Sequence, residues 1–314
     1  MKKLIITGML GLGALAVHAG LVNFDLSGSF DYDAFTTSAE INAASNNAKT
    51  VTSQIGDHGI GVSSTRTTGG SACYLVAPER ATFKGIADNG ILTGADGRTY
   101  LLANGLTTKW GAADGLTKVN NAVGRPFYSG DTALTRTATI TLTAADQKKY
   151  SDFNLLVTGN RYDTRAGRTM GAMLEVQYAG DATWYNVWSE SVAIDTGAPG
   201  GVFGGSMVPG ATKASSAWTA VTATTDGYAK KGAGTYTVAG TGTAIMWELT
   251  TPVTLDTNKV LQSFRMTSTT QEASRYNDFI LYAATGTEVV PEPATVGMLG
   301  LGVLVTMMIR RFRR

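Results

Sequence analysis

Residues 135–143 alternate polar and apolar side chains. Thr137, Thr139 and Thr141 fall on one side of an extended chain, and Ala138, Ile140 and Leu142 on the other. A period of two marks a half-buried strand, because successive side chains of an extended backbone point to opposite faces. The period recurs at Phe153, Leu155 and Val157, which stop at Gly159-Asn160, and again at Leu174, Val176 and Tyr178. The turn residues Ala179-Gly180-Asp181-Ala182 then lead into Trp184-Tyr185-Asn186-Val187-Trp188, which predicts a hairpin. Ala244–Leu249, Val260–Thr267 and Phe279–Ala283 read as further strands, the last after the polar loop Thr269–Asn277. Strands at this spacing, divided by Gly, Asp and Asn turns, predict an all-β antiparallel sandwich with short helices.

The first half is less regular. Leu21–Phe35, with Phe24, Phe30 and Tyr32, predicts an edge strand. Thr37–Lys49 is rich in Ala and Asn, and Ser38 stands where an N-cap would, so a short helix is expected there. Gly56–Ser71 and the Gly/Ala/Pro-rich stretch 196–216 read as loops. Gly90–Thr93 and Tyr100–Leu102 are expected to pair across Gly94-Ala95-Asp96-Gly97-Arg98. Residues 20–284 are taken as one exported sandwich domain; a separate small domain over 21–130 is the alternative.

Both ends of the chain depart from this alternation. Met1-Lys2-Lys3 precedes an apolar run from Leu4 to Val17, and Val17-His18-Ala19 suits the positions before a cut. Residues 1–19 therefore read as a secretory signal peptide cleaved by signal peptidase between Ala19 and Gly20, with a cut after Ala16 as the alternative. At the other end, Pro291-Glu292-Pro293 closes a linker over 285–293, because each proline fixes φ and lacks a backbone donor. The apolar run 294–309 has sixteen residues, and as a helix it would rise about 24 Å against a hydrocarbon core of about 30 Å. Local thinning and snorkelling close that gap, so the run predicts a single transmembrane helix. Arg310, Arg311, Arg313 and Arg314 make a basic tail, 310–314, that stays in the cytoplasm.

Proline-glutamate-proline, an apolar helix and an arginine-rich end, in that order, resemble the PEP-CTERM sorting signal of Gram-negative bacteria. The resemblance covers residues 291–314. It implies processing at Pro291-Glu292-Pro293 by an exosortase, a membrane-embedded cysteine protease or transpeptidase. The precursor would be anchored transiently in the inner membrane, and the mature protein would reach the cell surface or the medium. An ordinary uncut C-terminal anchor is the alternative.

Composition changes once these ends are set aside. Without Lys2, Lys3, the four terminal arginines and Glu292, the 26 basic and 24 acidic residues become 20 and 23, a net charge of −3. A weakly acidic domain without a basic stripe offers no counterion-release surface, so nucleic acid is not an expected partner. Cys73 is the only cysteine, which leaves no internal disulfide. It is expected to be a buried, inert thiol, with an intermolecular bridge as the alternative.

Residues 135–284 also resemble a jelly-roll domain of the galactose-binding or carbohydrate-binding-module type. The resemblance rests on Tyr150–Val157, the Leu174–Trp188 hairpin, Leu261–Thr267 and Asn277–Leu281. No binding residue of that superfamily matches position by position.

The candidate chemistry is sparse. His58 lies in Asp57-His58-Gly59 without the spacing of a zinc site or a Gly-x-Ser-x-Gly elbow, and reads as a turn residue. Asp31 and Asp33 share a face if extended, without an evident partner for acid–base work. No catalytic residue, metal site or cofactor is expected, structural calcium at such aspartates being the alternative, although no EF-hand-like loop is present. Trp184, Asn186 and Trp188 would share one face of a regular strand. Two aromatic planes with an amide between them suit a glycan, whose C–H faces stack while its hydroxyls bond; the alternative is that both tryptophans are core. The expected function is an exported non-catalytic surface or matrix protein associated with exopolysaccharide or biofilm. A carbohydrate-binding module is the alternative, followed by a glycan-active hydrolase.

Overall fold

The computed structural model describes residues 20–31, 35–36, 72–75, 91–102, 122–124, 135–160, 168–194, 217–225, 228–231, 236–239, 242–270 and 278–290. Seventeen strands run through them: β1 (Leu21–Asn23), β2 (Phe35–Thr36), β3 (Ala72–Leu75), β4 (Ile91–Thr93), β5 (Thr99–Leu101), β6 (Val123–Gly124), β7 (Thr135–Thr141), β8 (Tyr150–Asn160), β9 (Arg168–Tyr178), β10 (Tyr185–Ile194), β11 (Trp218–Thr225), β12 (Tyr228–Lys231), β13 (Tyr236–Ala239), β14 (Gly242–Leu249), β15 (Val253–Thr254), β16 (Leu261–Thr270) and β17 (Asp278–Glu288). The protein is all-β, with 3-10 geometry only at Ser27–Ser29 and at Leu102 among the described residues.

Two antiparallel sheets build the body. The larger runs β1-β17-β8-β14-β11, with β15 added to β8 and β6 to β17; the smaller runs β10-β9-β16-β7. Successive strands cross between them, β7 to β8, β8 to β9, β10 to β11, β15 to β16 and β16 to β17. Two further groups are small. β13-β12-β3-β2 forms a four-stranded sheet in which β2 and β3 run parallel, and β4-β5 is a hairpin.

The core lies where the two large sheets face each other. Ala138, Ile140 and Leu142 of the β7 segment, Leu174, Val176 and Tyr178 of β9, and Phe264 and Met266 of β16 meet Phe153, Leu155 and Val157 of β8 and Phe279 and Leu281 of β17. The rings of Phe153 and Phe264 stand 5.5 Å apart across the interface. Each such side chain, fully withdrawn from water, contributes about 1.5–3 kcal/mol. Thr135, Thr137, Thr139 and Thr141 stay exposed on the opposite side of β7, so its alternation directly sorts core from surface.

The larger sheet is covered on its second face as well. Asn154 and Leu156 of β8 and Ile280 and Tyr282 of β17 are all nearly inaccessible. The β4–β5 hairpin supplies the cover with Leu92, Tyr100 and Leu102, themselves buried. This explains why β8 and β17 read as near-continuous apolar runs, as strands buried on both sides do. The hairpin turn contains Gly97 at φ 85°, where a side chain would be strained.

Several expectations shift. Among the described residues of Leu21–Phe35 there are the short β1, the 3-10 turn and the start of β2, so the stretch is not one continuous edge strand. β17 runs on past Ala283 to Glu288 because β1 pairs with its second half, so 285–288 are strand rather than linker. Cys73 lies on β3, opposite Ala229. The helix expected over 37–49, the loops 56–71 and 196–216, His58, Asp33, the signal peptide through Ala19, and the segment 291–314 with its transmembrane run and basic tail lie outside the described residues.

Candidate functional site

The outer face of the β10-β9-β16-β7 sheet is polar: Thr139, Asn186 and Ser189 of its edge strands are exposed, whereas Glu175, Ser263 and Thr267 of its central strands are buried. Its registers align one row across all four strands, Asn186 on β10, Glu175 on β9, Arg265 on β16 and Thr139 on β7. Arg265 grips Glu175 with two bonds, Nε donating to Oε2 at 2.5 Å and Nη2 to Oε1 at 2.9 Å. The carboxylate holds the Arg265 guanidinium above its ordinary pKa. That guanidinium lies 4.5 Å from the ring centroid of Trp184, a cation–π contact that fixes the indole at the edge of the row. The next row is hydroxyl-rich, with Thr137 Oγ1 and Thr267 Oγ1 3.1 Å apart and Ser189 exposed beyond Met173.

Of the three residues predicted to share a face, two do. Asn186 is exposed, opposite Glu175, and Trp184 is anchored beside it by Arg265. Trp188 is turned inward. A β-bulge between Asn186 and Trp188 inserts one extra residue, so Trp188 stands opposite Leu174, a core residue. Its ring meets Trp218 edge-on at 5.4 Å and 80°. A one-residue slip reverses which side a side chain takes, so a period of two misplaces everything beyond a bulge. Val187 and Tyr185 also pack against the core.

Arg265 and Glu175 were missed by sequence reasoning. Their neighbours Leu174 and Val176, Phe264 and Met266 mark both as outward, but nothing local reveals that β9 and β16 pair in the register that joins them.

A second polar cluster lies under the hairpin and is structural. The Glu248 carboxylate, 1% exposed, accepts the Ala95 N–H at 2.5 Å and the Tyr100 hydroxyl at 2.7 Å. Burial, then the bond to Glu248, pushes the Tyr100 hydroxyl far above its ordinary pKa. Nearby, Arg98 donates to Asp152 at 2.5 Å and to Asp96 at 2.8 Å, and Asp152 also accepts from Thr287 at 2.8 Å. These carboxylates are committed to holding the hairpin down.

Asp31 accepts the Gly124 N–H at 2.9 Å and donates its own N–H to Ala122 at 3.1 Å, tying β6 in place. Among the described residues no group of three or more His, Cys, Asp or Glu side chains converges to hold a metal ion.

The chain's two exits adjoin. Gly20, the residue after the expected leader cut, accepts the Glu288 N–H at 3.0 Å. Val289 follows the last strand and donates its N–H to Lys149 at 2.8 Å. The tripeptide Pro291-Glu292-Pro293 comes two residues later.

No curated protein and no solved structure matches this chain. One family model does, over residues 289–314, described as the PEP-CTERM protein-sorting motif. It begins at the first residue after β17. The chain therefore carries a PEP-CTERM protein-sorting motif, which implies an exosortase-targeted protein exported and sorted to the cell surface.

Proposed function

We propose that this chain is a non-catalytic surface or extracellular-matrix protein of a Gram-negative bacterium, associated with exopolysaccharide. Signal peptidase removes residues 1–19, the run 294–309 holds the precursor in the inner membrane, and an exosortase cuts at Pro291-Glu292-Pro293. The observation that carries this reading is the sorting motif over 289–314, starting where the sandwich ends at Glu288. A cut in 291–293 would release the whole sandwich intact. The strand order supports a jelly-roll ectodomain: β1-β17-β8-β14 against β7-β16-β9-β10 follows the double Greek key of that architecture. The non-catalytic reading draws support from Glu248, Asp152 and Glu175, each engaged in structural bonds. The test is intact mass of the protein recovered from the host's surface and medium. Loss of residues 1–19 and of the chain beyond the tripeptide is expected, and a recovered protein ending at Arg314 would refute the sorting reading.

A second reading, glycan binding, is favoured by Trp184 and Asn186 beside the mutually neutralised Glu175–Arg265 pair on a hydroxyl-rich sheet face. Trp184→Ala is expected to abolish retention on the host's exopolysaccharide in affinity electrophoresis. Unchanged retention would remove this face from consideration.

A further inference from the structure

The end of the sandwich from which both termini leave is closed by one continuous set of bonds. Glu288 bonds to Gly20, Val289 to Lys149, Leu261 to Lys148 at 2.8 Å, and Ala179 to Val260 at 2.9 Å. The loops 142–150, 179–184 and 255–260 therefore share this end with Gly20 and Val290. Three large hydrophobic side chains are exposed among the described residues, and two of them, Leu21 at 45% and Val290 at 38%, lie here. β1 and β17 are otherwise well packed: Gly286, which pairs with Val22, lies against the rings of Phe24 and Tyr150. The surface lysines of this end, Lys148, Lys149 and Lys259, are opposed by the carboxylates Asp25, Asp181, Asp256 and Glu288, so it has no excess positive charge.

Chain length decides what this end faces. β17 has 11 residues, and at about 3.4 Å each it stands roughly 35 Å tall. The segment 291–294 reaches at most about 14 Å past Val290. A tether less than half as long as the body it holds prevents that body from turning over. The headgroup layer itself takes up about 5–8 Å on each side of the hydrocarbon.

We propose that in the tail-bearing form this end rests on the phospholipid surface, with Leu21 and Val290 in the headgroup layer. The proposal relies on reading 294–309 as membrane-spanning. Contact is apolar, so it does not depend on anionic lipid. It also holds Pro291-Glu292-Pro293 in the interfacial layer, within reach of a membrane-embedded enzyme.

The test uses the tail-bearing chain from Gly20 to Arg314, without residues 1–19 and with Cys73→Ala, reconstituted into phosphatidylethanolamine vesicles with and without phosphatidylglycerol. An environment-sensitive fluorophore is placed in turn at Leu21→Cys, Val290→Cys and, at the opposite end, Ser191→Cys, and quenched by brominated acyl chains. Quenching several-fold stronger at positions 21 and 290 than at 191, unchanged by phosphatidylglycerol or high salt, is expected. Equal, weak quenching at all three positions in vesicle-bound protein would overturn the proposal. Protein that fails to float with the vesicles would overturn the membrane-spanning reading and the proposal with it. Circular dichroism matching the unlabelled chain shows that each variant is folded.

Discussion

Gly94→Ala should release the hairpin that covers the larger sheet. A methyl group at position 94 would stand 2.7 Å from Cδ and 2.8 Å from Oε1 of Glu248, and closer still to Oε2. Carbon atoms do not approach so near, and the obstacle is a buried carboxylate fixed by Ala95 and Tyr100. The carboxylate must swing away and lose both bonds. Each hydrogen bond to a charged group is worth about 1.5–3 kcal/mol, so the loss is about 3–6 kcal/mol. Chemical denaturation of the detergent-solubilised full-length protein measures it. The decisive comparison is a double-mutant cycle with Glu248→Ala. That substitution alone forfeits the same two bonds but removes the obstacle, so the double variant should be little worse than Glu248→Ala. The coupling should then be nearly the whole Gly94→Ala cost, about 3–6 kcal/mol. A Gly94→Ala cost under about 1 kcal/mol, or two costs that simply add, would refute the claim that Glu248 clamps the hairpin.

Four further outcomes follow from the geometry. Asn154 donates to Leu249 O at 2.8 Å and accepts from Leu249 N at 3.0 Å, substituting for a missing strand pair between β8 and β14. Asn154→Ala leaves both backbone groups buried and unpaired, and denaturation should show a loss of about 2–5 kcal/mol. Trp188→Ala should cost about 2–3 kcal/mol by removing the half-buried ring that packs on Trp218 and the core, whereas Trp184→Ala should cost about 0.5–1 kcal/mol, the value of an exposed cation–π contact; equal costs in thermal melts would contradict the bulge. Burial pushes the hydroxyls of both Tyr100 and Tyr150 up. Their stabilising contribution is therefore complete below the ordinary tyrosine pKa of about 10 and declines above it, by up to about 1.4 kcal/mol per pH unit for each. Alkaline denaturation with tyrosinate absorbance as the readout should show two groups ionising only on unfolding. Asp181 is held below the usual carboxylate range, first by the Tyr185 hydroxyl and then by Thr183; its support for the Ala179–Thr183 turn is present at neutral pH and lost as pH falls through that lowered value, which side-chain chemical shifts would follow.

The strand pattern of the second half was legible because one-sided burial writes itself as alternation, as Thr137–Leu142 and Leu174–Tyr178 show. The β4–β5 hairpin was legible through its glycines. What alternation cannot convey is an interruption of itself: the bulge at Asn186–Trp188 has no residue signature, and it turns Trp188 from the open face against the core. Glu248 illustrates a second blindness. It sits between Trp247 and Leu249 where a polar residue normally meets water, and only a hairpin distant in sequence buries it. The Glu175–Arg265 pair depends on inter-strand register, which no single strand encodes. The sorting signal was readable in full because its three parts are contiguous and act through local chemistry.

The pairing of β1 with β17 has a kinetic consequence. These are the first and last strands of the domain, so their union has the longest contact order the fold can offer. In a chain exported amino end first, Leu21–Asn23 emerges early and then waits, without its partner, until Thr285–Thr287 has crossed. Closure of the larger sheet is thereby coupled to completion of translocation. A stalled or truncated chain keeps an open β17 position and an unpaired first strand, the kind of exposed edge that marks a molecule for proteolysis or aggregation. In a chain exported amino end first, the zipping of this edge would come last, once the final strand has arrived.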